Sequence, residues 1–220
     1  MASAGVYAIL GELEQAYNEV SYQLNCFPKN KISVVFYPVK EFHEHWKLPH
    51  RVRGYYDGKL RIPYADDKTP FETLKPMIKH ELTHAFVSGM TQKHIPQWLN
   101  EGLAQWVEGK KIDVKSKDAL VICQIAKQLP DLAHLDNALS SQRNPFNDTG
   151  MTLAYMKSFS VTEYLIEENG LWSIMQFIRE RDAGIPPAEL FRKYFHKRPG
   201  EIEDDWIRWL ERQKSNLVIH

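Results

Sequence analysis

Residues 80–84 read His-Glu-Leu-Thr-His, two imidazoles four positions apart with a carboxylate directly after the first. On an α-helix, positions i and i+4 share one face, so both rings reach a single ion while the glutamate points at a bound water. The pentapeptide thus commits this stretch to helix. A second helix must approach the first, because seventeen positions after His84 stands Glu101, in Trp98-Leu99-Asn100-Glu101-Gly102. Two histidines and a distant carboxylate make a zinc set with one position left open, the ligand count of a hydrolytic site rather than a structural one. We take His80, His84 and Glu101 as ligands of one Zn2+ per chain, and Glu81 as general base toward a water that the metal acidifies.

Local signals set the expected helix bounds. Thr69-Pro70-Phe71-Glu72 has the Ser/Thr-x-x-Glu form of a capping box, with proline at the first helical position. Pro76 argues against one unbroken helix from there, since it lacks an N–H and clashes with the preceding turn. The expectation is a short turn at 69–73, Thr73 as a second N-cap, and a helix over about 74–88 that ends near Gly89. In it Met77, Ile78, Leu82, Ala85, Phe86 and Val87 cover a broad surface, the mark of a core helix and a rigid mount for ligands. Pro96 suits the first turn of the next helix, in which Trp98, Leu99, Leu103, Trp106 and Val107 recur at helical spacing until Gly109. Gly102 permits close helix approach, and Gln105, one turn after Glu101, is placed to orient a ligand.

The remaining chain reads as α+β. Apolar residues at helical spacing run from Val6 to Leu24, and Lys31 to Tyr37 is a β-branched and aromatic strand closed by Pro38. Val52–Tyr56 and Lys59–Ile62 flank Asp57-Gly58, the two-residue type I′ hairpin signal. Lys59–Ile62, with Pro63 after it, reads as an edge strand able to pair with an extended peptide, an internal strand being the alternative. After residue 110 the pattern is helical over roughly 116–128, 151–168, 171–182, 187–196 and 199–214, with Asn169-Gly170 as a helix end. The segment 130–150 reads as loop around one short helical turn. His43-Glu44-His45, His50 and His94 read as loop or surface residues rather than ligands, since they lack helical spacing to a third ligand.

A family resemblance rests on these segments. His80-Glu81-x-x-His84 followed by Trp98-Leu99-Asn100-Glu101-Gly102-Leu103-Ala104 resembles the gluzincin metallopeptidases, and the second stretch is similar to Trp-Leu-Asn-Glu-Gly-Phe-Ala of their zinc aminopeptidase branch. From about Lys31 to Arg212 the chain is similar to the compact peptidase MA-like domains. Their strand ending in Tyr-Pro corresponds to Val34–Pro38, their Gly-Tyr-Tyr-Asp-Gly hairpin to 54–58, and their Ala-Tyr-x-x-Ser segment to Ala154–Ser158, with Trp206 and Trp209 in a closing helix. The resemblance implies a zincin-like fold: a small N-terminal β-sheet packed on the HExxH helix, then a mainly helical C-terminal lobe, with a cleft between. It also implies one domain over 1–220, divided into lobes at 1–110 and 111–220, and a peptide or protein substrate. Tyr155, in the Ala-Tyr-x-x-Ser setting, is the implied oxyanion donor, although its spacing from Phe159 and Tyr164 also suits ordinary packing. The aminopeptidase branch has a Gly-Ala-Met-Glu-Asn type segment before the zinc helix; the stretch 54–63 here has no such glutamate, which argues against an amino-terminal exopeptidase.

Composition excludes other partners. Lysine plus arginine equals aspartate plus glutamate at 28 each, so no field favours nucleic acid or an anionic membrane. No apolar run reaches spanning length, and Met1–Gly5 lacks the basic and apolar regions of a signal peptide, which suits a cytoplasmic protein or a fragment of a longer exported one. Cys26 and Cys123 make no disulfide framework, and buried thiols are expected rather than one bridge. The leading reading is a zinc metallopeptidase. The alternatives are an inactive zincin-fold interaction domain and a zinc hydrolase of non-peptide amides.

Overall fold

Apolar residues three and four apart wind the first segment into α1 (Ala4–Leu24), which buries Ala16, Val20 and Leu24. The computed structural model describes residues 4–46, 52–64, 71–125, 127–140 and 148–215. The Thr69-Pro70 cap, His50 and the stretch 141–147 of the expected loop lie outside them. The chain divides into two compact units, Met1–Met90 with Val107–Gly109, and Thr91–Trp106 with Lys110–His220.

In the first unit, β1 (Val34–Pro38), β2 (Tyr55–Tyr56) and β3 (Leu60–Tyr64) form a three-stranded sheet in the order β1-β3-β2. The β1–β3 pair is parallel, Val34 opposite Leu60, and β2–β3 is antiparallel, Tyr55 opposite Arg61. The register leaves residues 57, 58 and 59 in the turn, and Gly58 alone has positive φ (100°), so the hairpin is a three-residue loop and not the two-residue type I′ turn. The strand expected at the edge is central: β3 is paired on both sides. Pro63 is tolerated there because Leu60 sends its N–H to Ser33 of the β1 side (2.8 Å), so by alternation position 63 faces β2, which pairs only Leu60 and Arg61.

Between β1 and β2, where the sequence pattern predicts loop, the structure has a helix, α2 (Val39–Trp46), carrying His43 and His45. Phe42 is its buried anchor, and Trp46 stacks under Arg61 (4.3 Å from guanidinium carbon to ring centre). Helix α3 (Phe71–Met90) is one helix, not a turn followed by a helix from 74. Pro76 is its sixth residue, so it forfeits a backbone bond only within the second turn. The expected core residues Met77, Ile78, Leu82, Ala85, Phe86 and Val87 are all buried. Tyr17 of α1 meets Phe86 edge-on at 5.2 Å, Lys75 pairs with Glu19 at 2.6 Å, and β2 and β3 pack on α3 from the sheet side.

The second unit is helical: α4 (Gln97–Val107), α5 (Val114–Ile125), α6 (Leu132–Ser140), α7 (Asp148–Arg179), a 3-10 turn at Glu180–Ala183, α8 (Pro187–Phe195) and α9 (Pro199–Ser215). The nine-residue α6 replaces part of the expected loop. Its start is capped by Asp131, which accepts the His134 N–H at 2.8 Å, and Leu132 and Leu135 bury its apolar side. The two expected helices either side of Gly170 form α7, kinked where Gly170 takes φ 77° and ψ 151°. Phe177, Phe191 and Phe195 join α7 to α8, and Trp206 of α9 donates to Ser160 of α7 at 2.9 Å. The fully buried Lys157 is paired with Glu203 over the Trp206 ring. Helix thus far outweighs strand, and the fold class is α+β.

Candidate metal centre

One turn of α3 separates His80 from His84, and their rings stand 4.8 Å apart, centre to centre, at 81°. Glu81, between them in sequence, is 7% exposed. The wall against it is Gly54, at the start of the hairpin: a Cβ there would lie 2.6 Å from the Met77 sulfur and 2.9 Å from Cγ of Glu81. Only a glycine lets the main chain run this close to the glutamate. The hairpin is itself clamped, because Asp57 accepts from Arg61 (both carboxylate oxygens at 3.0 Å from Nε) and Arg61 also donates to the Tyr37 hydroxyl at 2.5 Å.

His80 Nδ1 lies 3.0 Å from Oε2 of Glu108, a residue the sequence reading did not single out. A carboxylate on Nδ1 holds the proton there and presents Nε2 as the coordinating nitrogen. Glu108 immediately follows α4, whose other end carries the expected third ligand. Gln97, likewise not singled out, donates from Nε2 to Oε1 of Glu101 at 2.9 Å. Gln105, the residue expected to orient a ligand, instead donates to two main-chain carbonyls, those of Glu101 (3.2 Å) and Tyr155 (3.0 Å). Positions 97, 101, 105 and 108 fall at helical spacing on one face, the signal by which the two missed residues were findable.

Gly102 does what its size suggests: a Cβ would lie 2.3 Å from the Ser158 carbonyl and 2.1 Å from the Thr162 hydroxyl, so α4 rests directly on α7. The link between α3 and α4 is held as well. Asp182 accepts from the Thr91 hydroxyl (2.8 Å) and the Gln92 and Lys93 N–H groups, and Arg181 donates twice to the His94 carbonyl. Tyr155 is half-buried on α7. His43 and His45 lie on α2 with their rings edge-on to Phe42 and Trp46, and Cys26 and Cys123 are half-buried and not joined in a disulfide.

One donor atom each from His80, His84 and Glu101 lies within 4.8 Å of the other two, a grouping that could hold a metal ion. Among the described residues it is the group of histidine, cysteine and acidic side chains with that property. The model of the peptidase MA superfamily matches residues 71–212, more than half of the chain and both helices that carry this grouping, and the protein belongs to that superfamily. No curated protein and no solved structure matches it.

Proposed function

We propose that this protein is a zinc-dependent peptidase of gluzincin type with a zincin-like fold. The observation that carries the reading is the His80, His84 and Glu101 grouping, with the buried Glu81 next to a ligand histidine. The donor set suits the ion, since two imidazoles and one carboxylate make a three-ligand catalytic set, and Glu108 already holds the far nitrogen of His80. When bound, zinc acidifies a water and polarises a carbonyl oxygen. Glu81 would take a proton from the attacking water at its carboxylate and return it to the leaving amine. Tyr155 donates its phenolic hydrogen to the developing oxyanion. A metal site serving only as a staple has no use for Glu81, which favours catalysis over the interaction-domain reading.

The substrate is a peptide or protein. The only acidic residue of the 54–63 stretch, Asp57, is tied to Arg61, so this hairpin offers nothing to a free amino terminus and an aminopeptidase is disfavoured. A broad peptide-library digest, read by mass spectrometry, tests the proposal. Wild type should cleave, and Glu81→Gln should lose nearly all cleavage while keeping its zinc. Equal cleavage by both proteins would remove Glu81 from the reaction. No cleavage by either, with zinc in both, would support the interaction-domain reading instead.

A further inference from the structure

We propose that Gln97 is a positioning residue for the metal ligand Glu101, and that Asp136 acts on the same carboxylate through Gln97. The inference rests on the metal reading above. Gln97 is the first residue of α4, one turn before Glu101, and donates its side-chain N–H to Glu101 Oε1 at 2.9 Å. Its own main-chain N–H, one of the groups that a helix start leaves without an intrahelical partner, is taken by Oδ1 of Asp136 from α6. Pro96 immediately precedes, and its carbonyl accepts the Leu99 and Asn100 N–H groups at 3.0 Å, which closes the first turn. Both ends of Gln97 are therefore fixed, the backbone by α6 and the side chain by the ligand.

The chemistry of the amide matters. A glutamate side chain has three rotatable bonds, and holding it in one rotamer beforehand lowers the cost of ordering it when the ion binds. A neutral amide donor selects one rotamer without cancelling the carboxylate charge that attracts the ion. A lysine in the same place would fix the rotamer and compete with the cation. Helix α4 thus supplies one ligand, Glu101, and with Glu108 directly after it the partners of two, Glu101 and His80.

Zinc affinity, measured by chelator competition, and the visible spectrum of the cobalt-substituted protein test this without reference to turnover. Gln97→Met keeps length and packing but removes the donor. It should weaken zinc about tenfold to hundredfold, as loss of an outer partner does, and shift the cobalt bands. Asp136→Ala should weaken zinc less, and the Gln97→Met/Asp136→Ala double variant should be no weaker than Gln97→Met alone, because Asp136 acts through Gln97. Gln97→Met with zinc affinity within twofold of wild type and an unchanged cobalt spectrum overturns the proposal, whatever its melting temperature does. His84→Ala is the control that separates the two levels. If it loses zinc while Gln97→Met does not, the metal reading stands and the positioning role falls; if it keeps stoichiometric zinc, both fall.

Discussion

At the residue scale, what separates this site from a chance cluster is that its members are held by others. His80 has Glu108 at 3.0 Å and Glu81 is sealed against Gly54. Glu108→Gln, which keeps the shape and removes the charge, should lower zinc affinity about tenfold to hundredfold in a chelator titration. Tyr155→Phe should lower kcat about tenfold to a thousandfold with KM and zinc content little changed, as expected for a bond made mainly in the transition state. A Tyr155→Phe protein that melts earlier but turns over normally would make Tyr155 a packing residue. The histidine pair was legible in the sequence because i, i+4 spacing is a local property of the chain. Glu108 and Gln97 are harder to see, since their one sequence sign is a helix face shared with Glu101, and the partner that gives each its role lies in the fold.

The element scale shows where local rules give way to packing. Pro76 argues for a helix break, yet α3 runs through it, because the loss near a helix end is small beside the apolar surface that Ile78, Leu82 and Phe86 bury. The Asp57-Gly58 pair signalled a hairpin correctly, but the turn took one more residue, and β3 became central because β1 paired with it in parallel across α2. No local pattern announces that partner. Helix α6 was hidden by the polar, proline-bearing stretch around it, and Asp131 capping His134 was its sign. Gly102→Ala should be destabilising: the gain in helix propensity is about 1 kcal/mol, whereas a Cβ 2.3 Å from a main-chain oxygen forces α4 off α7. We expect a net loss of about 1–2 kcal/mol and a melting point lower by about 2–8 °C. The link between α3 and α4 carries a pH dependence. Asp182 is held below the ordinary aspartate range by the Gln92 N–H, then the Thr91 hydroxyl and the Lys93 N–H. A lowered folded-state pKa gives stability that is present above the unfolded value of about 3.9 and lost as pH falls through the folded value. Asp182→Asn should therefore show a flatter acid limb than wild type in denaturant melts taken from about pH 7 down to about pH 2.

For the whole molecule, superfamily membership and the α+β class agree with one another. No helix among the described residues is long and apolar enough to cross a membrane, and the formal net charge is zero, so no long-range field steers a charged partner to the molecule. Metal binding to the folded chain should raise its melting point by mass action. At free zinc about a hundredfold above Kd the gain is about 2.7 kcal/mol, or about 5–11 °C for a chain of this size. Chelation should remove that gain from wild type and Glu81→Gln and leave His84→Ala unmoved. The most direct test of the central claim is the zinc content of the purified protein by elemental analysis, taken for wild type, Glu81→Gln and the His80→Ala/His84→Ala double variant. We predict about one zinc per chain in the first two, with hydrolysis only in wild type, and almost none in the third. Stoichiometric zinc in the double variant would contradict the account, because the metal would then be held by residues other than those of α3.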